Sequence, residues 1–262
     1  MSFILVTNDD GVDSLSLPSL ARALQATSEV HVAAPAVERS WIGKAISRFD
    51  EVRVKPVERD GVGMMSVEGY PADAVQLGVY RLFGAKAAMV VSGVNIGANF
   101  GSAYTVGSGT VGAALEGSIA GIPSFAFSAV SVGNFGEWRE HMLSPDSIPD
   151  WERFADVSAA VVAEVMAFGF PSGVDVINVN MPAEARVDTT REVTHVAQTT
   201  YGPLFKQHAE GVYKHDWVSD MEVVDGLWGS DIQAVTDDKI AITPLRISAA
   251  GVDSPALREL WP

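Results

Sequence analysis

Short, almost uninterrupted apolar runs are the feature that most constrains the fold of this sequence. They cover residues 3–7, 30–34, 88–92 and 124–128. Runs without polar alternation are typical of strands buried on both faces of a parallel sheet. Helical patterns lie between them, at residues 17–26, 72–83 and 110–120. This alternation predicts an α/β fold with a doubly wound, mostly parallel sheet, whose ligands bind beyond the carboxyl ends of the strands.

The rest of the chain is expected to add strands to the same domain. Residues 49–67 alternate around an Asp-Gly turn and predict a hairpin, and residues 174–180 and 239–243 read as further strands. The segment 186–238 is polar and acidic, lacks helical periodicity and is expected to form hairpins or an extended arm. It carries scattered aromatic residues: Tyr201, Phe205, Tyr213, Trp217 and Trp228. We therefore predict a single α/β domain over residues 1–262 with a C-terminal β-hairpin arm at 186–238.

Charge and composition exclude several classes of protein. The net charge of −15 repels phosphate polymers and anionic lipid surfaces, which argues against a nucleic-acid polymer or a membrane as partner. No cysteine is present, so disulfides, thiolate zinc sites and cysteine nucleophiles are excluded. The apolar stretch at 157–170 is shorter than the roughly 20 residues of a membrane span, and the N-terminus does not resemble a signal peptide. A cytoplasmic protein is expected.

Two adjacent carboxylates, Asp9 and Asp10, follow the first predicted strand directly. Neighbouring buried anions raise each other's pKa or need a cation, and clustered hard oxygens favour Mg²⁺, Mn²⁺ or Ca²⁺. The alternative is a simple turn over residues 8–11 in which an Asp caps the next helix. Ser40 follows the second strand and Asn95 the third, so three strand ends offer oxygen ligands in one layer.

A glycine-rich run at residues 107–112 has the letters G-x-G-x-x-G of a dinucleotide fingerprint. No convincing strand precedes it, and no acidic residue lies about 20 positions further on, so NAD binding is not predicted. A glycine-rich turn entering a helix still suits one phosphate group. The alternative is an ordinary N-cap formed by Ser108 or Thr110. Arg39, a basic residue near these loops, could pair with a phosphate oxygen or with the neighbours of Glu38, and the sequence leaves both open.

Six blocks of sequence together resemble one known family. They are ILVTNDDG at 4–11, APAVERS at 34–40, YPADAV at 70–75, VVSGVNIGAN at 90–99, SGTVGAALEG at 108–117 and residues 121–128. Weaker echoes follow at 177–182 and 242–245. In this order the blocks resemble the SurE survival-protein family of divalent-metal-dependent nucleotide phosphatases. The matching blocks fall mostly within residues 1–130, which would carry the metal and phosphate motifs.

The resemblance implies a role for each matching residue. One Mg²⁺ or Mn²⁺ ion would be held by Asp9, Asp10, Ser40 and Asn95. The substrate phosphate would be surrounded by Asn8, Asn99, Ser108, Gly109 and Thr110. It further implies a Rossmann-like core with a C-terminal extension exchanged between the subunits of a homodimer or homotetramer. Trp41 and Tyr70 depart from the family pattern and stand in loops expected to flank the site.

The predicted function is hydrolysis of nucleoside 5′-monophosphates, with 3′-monophosphates as a second substrate class, by a metal-dependent phosphomonoesterase. Asp9 and Asp10 are the predicted catalytic residues. Two mechanisms remain open: attack by a water of lowered pKa, or attack by Asp9 or Asp10 to give an aspartyl-phosphate. A protein of another class, which binds nucleotides or acts as a scaffold without turnover, is the alternative function.

Overall fold

The computed structural model describes residues 2–131, 133–215, 221–247 and 258. Its strands are β1 (Ser2–Thr7), β2 (Val30–Pro35), β3 (Val54–Arg59), β4 (Val62–Val67), β5 (Lys86–Ile96), β6 (Ser124–Val130), β7 (Val176–Pro182), β8 (Arg191–Val193), β9 (Thr199–Thr200), β10 (Phe205–Ala209), β11 (Val212–His215), β12 (Glu222–Val223) and β13 (Ile240–Leu245). Its α-helices are α1 (Ser16–Gln25), α2 (Pro71–Leu77), α3 (Gly101–Gly107), α4 (Gly109–Ile119), α5 (Phe135–Leu143), α6 (Ile148–Phe168) and α7 (Asp231–Thr236).

Nine of the strands in the described residues form one sheet, in the order β3-β4-β2-β1-β5-β6-β7-β13-β8. Parallel pairing joins the central strands to one another, in the order β4, β2, β1, β5, β6 and β7. Antiparallel pairing joins β3 to β4 and β13 to β7. The sheet is therefore mostly parallel, which confirms the predicted α/β, Rossmann-like fold.

The core lies on both faces of this sheet. Ile4 and Val6 of β1 pack in the apolar cluster that includes side chains of α1 and α6. Phe3 and Leu5, which point to the opposite face, pack in the cluster that includes α2. Successive side chains of a strand alternate between faces, so β1 must be apolar throughout. The same two-sided burial explains the other unbroken apolar runs.

Three of the four predicted buried strands are confirmed to within two residues at each end, and the hairpin is confirmed as β3 and β4. The third strand differs, because β5 continues to Ile96 instead of ending at Ser92. Its register with β6 shifts between Ser92 and Asn95. Gly93 lies in this interval with φ of +131°, and a Cβ there would come within 2.4 Å of the Phe127 carbonyl oxygen. Asn95 consequently belongs to a strand and not to the loop in which it was expected.

The predicted helix at 72–83 is also divided. Helix α2 ends at Leu77, and a π-helical turn continues over Gly78–Leu82. Gly78 approaches β1 so closely that a Cβ would lie 2.7 Å from Leu5 Cδ1.

The longest helix in the described residues, α6, has 21 residues. No helix in the described part of the chain combines the length and the apolar character that crossing a bilayer requires.

The segment 186–238 contains the antiparallel hairpin of β10 and β11, and β12 pairs with β9. Strand β8 instead joins the edge of the main sheet. The expectation of a segment without helix is wrong at α7, whose six residues are too few to show a periodicity. Ser230 caps this helix, since its Oγ accepts a hydrogen bond from the Gln233 backbone N–H at 3.2 Å. Trp217, one of the aromatic residues expected on the arm, lies outside the described residues.

Candidate active site

A cavity of about 600 Å³ opens where β1 and β5 end, at the carboxyl edge of the sheet. Six of the residues predicted for the site line it together: Asp9, Asp10, Ser40, Asn95, Asn99 and Ser108. The other three, Asn8, Gly109 and Thr110, are not among its lining residues. A cavity of this volume accommodates a small organic ligand.

Asp9 is buried and held by the start of α4. Thr110 Oγ1 donates a hydrogen bond to Asp9 Oδ1 at 2.5 Å, and the Thr110 backbone also hydrogen-bonds this carboxylate. Burial nevertheless raises the pKa of Asp9 to about 6, because the low-dielectric surroundings disfavour the charged form more than these hydrogen bonds favour it. A Cβ at Gly109 would lie 2.7 Å from Asp9 Cβ, so only glycine allows this close approach.

Asp10 has weaker support, from a backbone hydrogen bond at Ile96 and from the charge of Arg139. Burial, together with the neighbouring charge of Asp9, raises the pKa of Asp10 well above its usual range. Its Oδ2 is buried without a hydrogen-bond partner among the described residues. An unpaired buried carboxylate oxygen costs free energy, and the adjacent carboxylate adds repulsion. A divalent cation would relieve both penalties, so the pair fits the predicted metal.

The neutral residues of the predicted ligand set also offer oxygen atoms. Ser40 Oγ donates its proton to Glu38 Oε1 at 2.7 Å, which leaves the hydroxyl lone pairs as acceptors for a cation. Asn95 Nδ2 donates to the Gly97 carbonyl oxygen at 2.9 Å, so Oδ1 is the amide atom available to a ligand. Carboxylate, hydroxyl and amide oxygens suit hard divalent cations.

The described residues contain no group of three His, Asp or Glu side chains that could hold a metal ion. A cation at this site would therefore depend on two carboxylates, supplemented by Ser40, Asn95, substrate and water. Such partial coordination is typical of Mg²⁺ sites that also bind phosphate, since Mg²⁺ keeps positions for water and phosphate oxygens.

Two of the predicted phosphate residues are already engaged by the backbone. Asn8 Oδ1 accepts from the Gly11 N–H and its Nδ2 donates to the Gly11 carbonyl oxygen, both at 3.1 Å. Ser108 Oγ accepts from the Val111 N–H at 3.1 Å and thereby caps α4.

The glycine-rich run at 107–112 follows helix α3 and not a strand, so it lacks the context of a dinucleotide fingerprint.

Asn99 is fixed in the cavity wall by strand β7. Asn178 Nδ2 donates to the Asn99 carbonyl oxygen at 2.7 Å, and Asn180 Oδ1 accepts from the Asn99 N–H at 2.9 Å. The side chain of Asn99 is held as well, because its Nδ2 donates to Ser128 Oγ at 2.8 Å. The contacts of Asn99 and Ser108 leave their roles toward phosphate as predictions.

Arg39 packs on Tyr70 and supports the loop of Asp9, and its pairing with a phosphate oxygen stays a prediction. Its guanidinium lies over the Tyr70 ring, 5.5 Å from the centroid, and its backbone N–H donates to the Asp9 carbonyl oxygen at 2.7 Å. The partner of Glu38 is Arg139 of α5, whose Nη2 lies 3.2 Å from Oε2. Arg139 also lines the cavity, so it is a cationic group at the site that the sequence did not single out.

Residues 4–203 match the family model described as "Survival protein SurE". The chain belongs to the SurE family. Proteins named "5'-nucleotidase SurE" are similar over nearly the whole chain. The protein of Archaeoglobus fulgidus is 34% identical, with 93% of this chain and 91% of the relative covered. That of Methanothrix thermoacetophila is 32% identical, with 99% and 98% covered.

The fold comparison agrees with the sequence comparison. The crystal structure of the SurE protein from Aquifex aeolicus superposes with a TM-score of 0.73, is 27% identical, and covers 98% of this chain and 97% of that chain. The resemblance to the SurE family drawn from the motifs is thus confirmed across almost the full length.

Sequence reasoning missed several residues that line this SurE cavity. Three of them are Tyr104 in α3, Arg139 in α5 and His215 in β11. None of the three follows the end of a predicted strand, which was the signal used to find site residues. His215 is one of five histidines scattered without ligand spacing. Their presence at the cavity follows from long-range packing, and the sequence offers no local signal for them. Trp41 was noted only as a departure from the family, and it lines the same cavity.

Proposed function

We propose that this protein is a metal-dependent phosphomonoesterase that hydrolyses nucleoside 5′-monophosphates to nucleoside and phosphate. The observation that carries the proposal is the acid pair of Asp9 and Asp10 at the cavity, in which Asp10 Oδ2 is buried and has no hydrogen-bond partner among the described residues. A cation would supply the partner that this oxygen lacks. Membership of the SurE family and relatives named 5′-nucleotidases support the substrate class.

The metal ligands in this proposal are Asp9, Asp10, Ser40 and Asn95, all of which line one cavity. The chemistry that Mg²⁺ or Mn²⁺ supplies in phosphatases is Lewis-acid stabilisation of a phosphoryl oxygen and a lowered pKa of water. The chain's own contribution is to hold both carboxylates at the cavity. Thr110 orients Asp9 through its hydrogen bonds, which partly offset the rise in pKa that burial causes.

The phosphate would lie between the acid pair and the wall formed by Asn99 and Ser108. Asn99 Nδ2 carries two N–H donors and gives one to Ser128 Oγ, so the second can donate to a phosphate oxygen. Arg139 adds a guanidinium to the same cavity. These donors would stabilise the negative charge that builds on the phosphoryl oxygens during transfer.

We propose water as the attacking group. Asp9 has one oxygen engaged by Thr110, and both carboxylates are needed as cation ligands, which leaves neither well placed as a nucleophile. The stereochemical course at phosphorus, measured with a substrate whose phosphate is made chiral with oxygen isotopes, tests this choice. Direct attack by water is a single in-line displacement and inverts the configuration at phosphorus. Retention would instead establish two displacements through an aspartyl-phosphate at Asp9 or Asp10.

The function itself is tested by assaying adenosine 5′-monophosphate with Mg²⁺, with Mn²⁺ and with excess chelator. We expect turnover with metal, none with chelator, and none in Asp9→Asn. Asp13→Asn is the matched control, because Asp13 lies in the same loop but pairs with Arg59 at the surface. Full activity in chelator or in Asp9→Asn would refute the proposal. Binding of nucleotide and metal without turnover would support the non-catalytic alternative.

We further propose that the protein is a homodimer or homotetramer assembled through its arm. The hairpin of β10 and β11 exposes Phe205, Val212 and Tyr213 by 50–63%, and exposed aromatic residues of this kind are enriched in interfaces. Light scattering after size exclusion should give a multiple of 27.8 kDa. The double variant Phe205→Ser, Tyr213→Ser should lower that mass, and a monomeric wild type would contradict the proposal. A cytoplasmic location and cleavage of 3′-monophosphates stay predictions.

A further inference from the structure

An aromatic wall, formed by Trp41, Tyr104, Tyr201 and His215, stands beside the acid pair. The ring centroid of Trp41 lies 5.6 Å from that of each of the other three residues. The two tyrosine rings meet the indole edge to face, at 84° and 83°, and His215 is tilted at 55°. Trp41, Tyr104 and His215 line the same cavity as Asp9 and Asp10.

The backbone of Trp41 is held in an unfavourable conformation. Its φ is +59°, in the left-handed region that bulky residues rarely occupy. Non-glycine residues in this region cost free energy and persist where the surrounding structure enforces them, which is frequent at ligand sites. Trp41 holds this conformation at the wall of the cavity, which points to a constraint on the position of its indole.

The loop that carries Trp41 is fixed on both sides of it. The Arg39 N–H donates to the Asp9 carbonyl oxygen at 2.7 Å, and the Gly43 N–H donates to the Gly107 carbonyl oxygen at 2.9 Å. The indole packs on Gly107, where a Cβ would lie 3.4 Å from it. Trp41 is therefore a preorganised surface, and the indole remains 39% exposed.

We propose that Trp41 binds the nucleobase by stacking and makes this enzyme selective for nucleotides over phosphate esters that lack an aromatic group. The inference rests on the proposed phosphatase function and adds a specificity-determining residue to it. Trp41 follows the predicted metal ligand Ser40, and its indole packs on Gly107, which precedes the phosphate-site residue Ser108. The aromatic surface is thus next to the predicted metal site along one chain segment. It also contacts the residue that precedes the predicted phosphate site along the other.

The remainder of the wall suits the same role. The edges and faces of Tyr104, Tyr201 and His215 restrict the indole to one orientation, so less side-chain entropy is lost when a base stacks on it. Every base presents a π-face, and stacking on an aromatic side chain tolerates base identity. Discrimination is therefore expected between esters with and without a base, and more weakly among bases.

The test compares adenosine 5′-monophosphate with ribose 5-phosphate, which has the same phosphate ester and no base. In Trp41→Ala and Trp41→Gly, the ratio of kcat/KM for the nucleotide over the sugar phosphate should fall about 10-fold to 100-fold. Trp41→Phe should retain most of the ratio. Trp41→Gly removes the indole and also relieves the positive φ, so a loss in this variant cannot be ascribed to strain. Trp228→Ala is the control, because Trp228 is 93% exposed and lies away from the cavity lining.

A ratio that stays within about twofold of wild type in both Trp41→Ala and Trp41→Gly would overturn the inference. If wild type hydrolysed neither ester, the proposed function would fail, yet the role of Trp41 would still be decided by binding. Calorimetric titration of wild type and Trp41→Gly with both compounds gives that answer. Nucleotide affinity that falls by the same 10-fold to 100-fold supports stacking, and equal affinity in the two proteins refutes it.

Discussion

The carboxylate of Asp9 is held by two adjacent residues, Gly109 and Thr110, that lie about 100 positions away in the sequence. Thr110 donates to it at 2.5 Å, and the Cα of Gly109 packs against its Cβ. These residues were predicted as phosphate contacts, and the structure shows them as partners of an acidic residue. The start of α4 therefore acts on the site through Asp9, where its hydrogen bonds partly offset the cost of burial.

Proton release from Asp9 should couple to metal binding. Its pKa rises from 3.8 to about 6 when the metal-free chain folds, because burial disfavours the charge. The resulting loss of stability is absent below pH 3.8 and complete above about pH 6, so stability of the metal-free protein should fall with rising pH across this window. Saturating Mn²⁺ should remove that fall.

The same proton competes with the metal, so Mn²⁺ affinity should weaken by about tenfold or more per pH unit below pH 6. Calorimetric titrations between about pH 5 and about pH 7, on both sides of the Asp9 pKa, measure this dependence. Affinity that does not change with pH would contradict the assignment of Asp9 as a ligand.

Gly109→Ala should displace the Asp9 side chain. The added methyl would come within 2.8 Å of Asp9 Oδ2 and 3.1 Å of the Arg39 carbonyl oxygen, and a backbone atom cannot move aside easily. We expect a loss of about 1–3 kcal/mol in the free energy of unfolding and about a 100-fold loss of phosphatase activity from the shifted carboxylate. Gly63→Ala is the control, since nothing lies within 4 Å of its added Cβ. Equal behaviour of the two variants would contradict the close approach.

At the scale of elements, the loop between β2 and β3 is fastened to two helices. Its Ser47 donates to Asp73 of α2 through the backbone N–H at 2.9 Å and through Oγ at 2.7 Å. Its Lys44 pairs with Glu116 of α4. This loop carries Ser40 and Trp41, so its attachment to the helices fixes the wall of the cavity.

Asp73→Ala should therefore loosen the loop. The variant leaves unpaired the two Ser47 donors and the Tyr70 N–H, which donates to Asp73 Oδ2 at 2.8 Å. We expect a loss of about 1–3 kcal/mol in the free energy of unfolding and a rise in KM for nucleotides that exceeds the change in kcat. Urea denaturation and steady-state kinetics measure the two effects. Ser47→Ala, which removes one of these donors, should show a smaller effect, and an unchanged KM in Asp73→Ala would argue against a role for the loop.

The sequence predicted elements best where burial alone dictates their composition. Strand β1 was recognised because both of its faces are buried. The end of β5 was not, because Gly93 and Asn95 are unusual inside a strand and the register shift that accommodates them is a tertiary effect. Arg139 and His215 could not be placed at the cavity, since nothing local relates them to residues about 100 or more positions away.

At the scale of the whole molecule, a net charge of −15 opposes an anionic substrate. In the proposed function, local attraction would come from the metal and from Arg139, while the distant acidic groups act over the Debye length.

This charge predicts an unusual salt dependence. Raising the ionic strength from about 0.01 M to about 0.15 M shortens the Debye length from about 30 Å to about 8 Å. The kcat/KM for adenosine 5′-monophosphate should then increase, by about twofold or more, because repulsion is screened. Stopped-time assays in KCl at saturating Mg²⁺ measure it. A decrease with salt would show that a positive local field dominates the approach of substrate.

The aromatic wall joins an early loop to the late arm, since Trp41 meets Tyr201 and His215. During synthesis the predicted metal ligands all leave the ribosome within the first 95 residues, whereas two partners of Trp41, Tyr201 and His215, emerge more than 100 residues later. A chain ending before residue 201 would retain every proposed ligand for the cation and lack two of the four residues of the aromatic wall. Selectivity for the base therefore depends on the late arm as well as on Trp41, and evolution can alter that part of the wall without changing a proposed metal ligand.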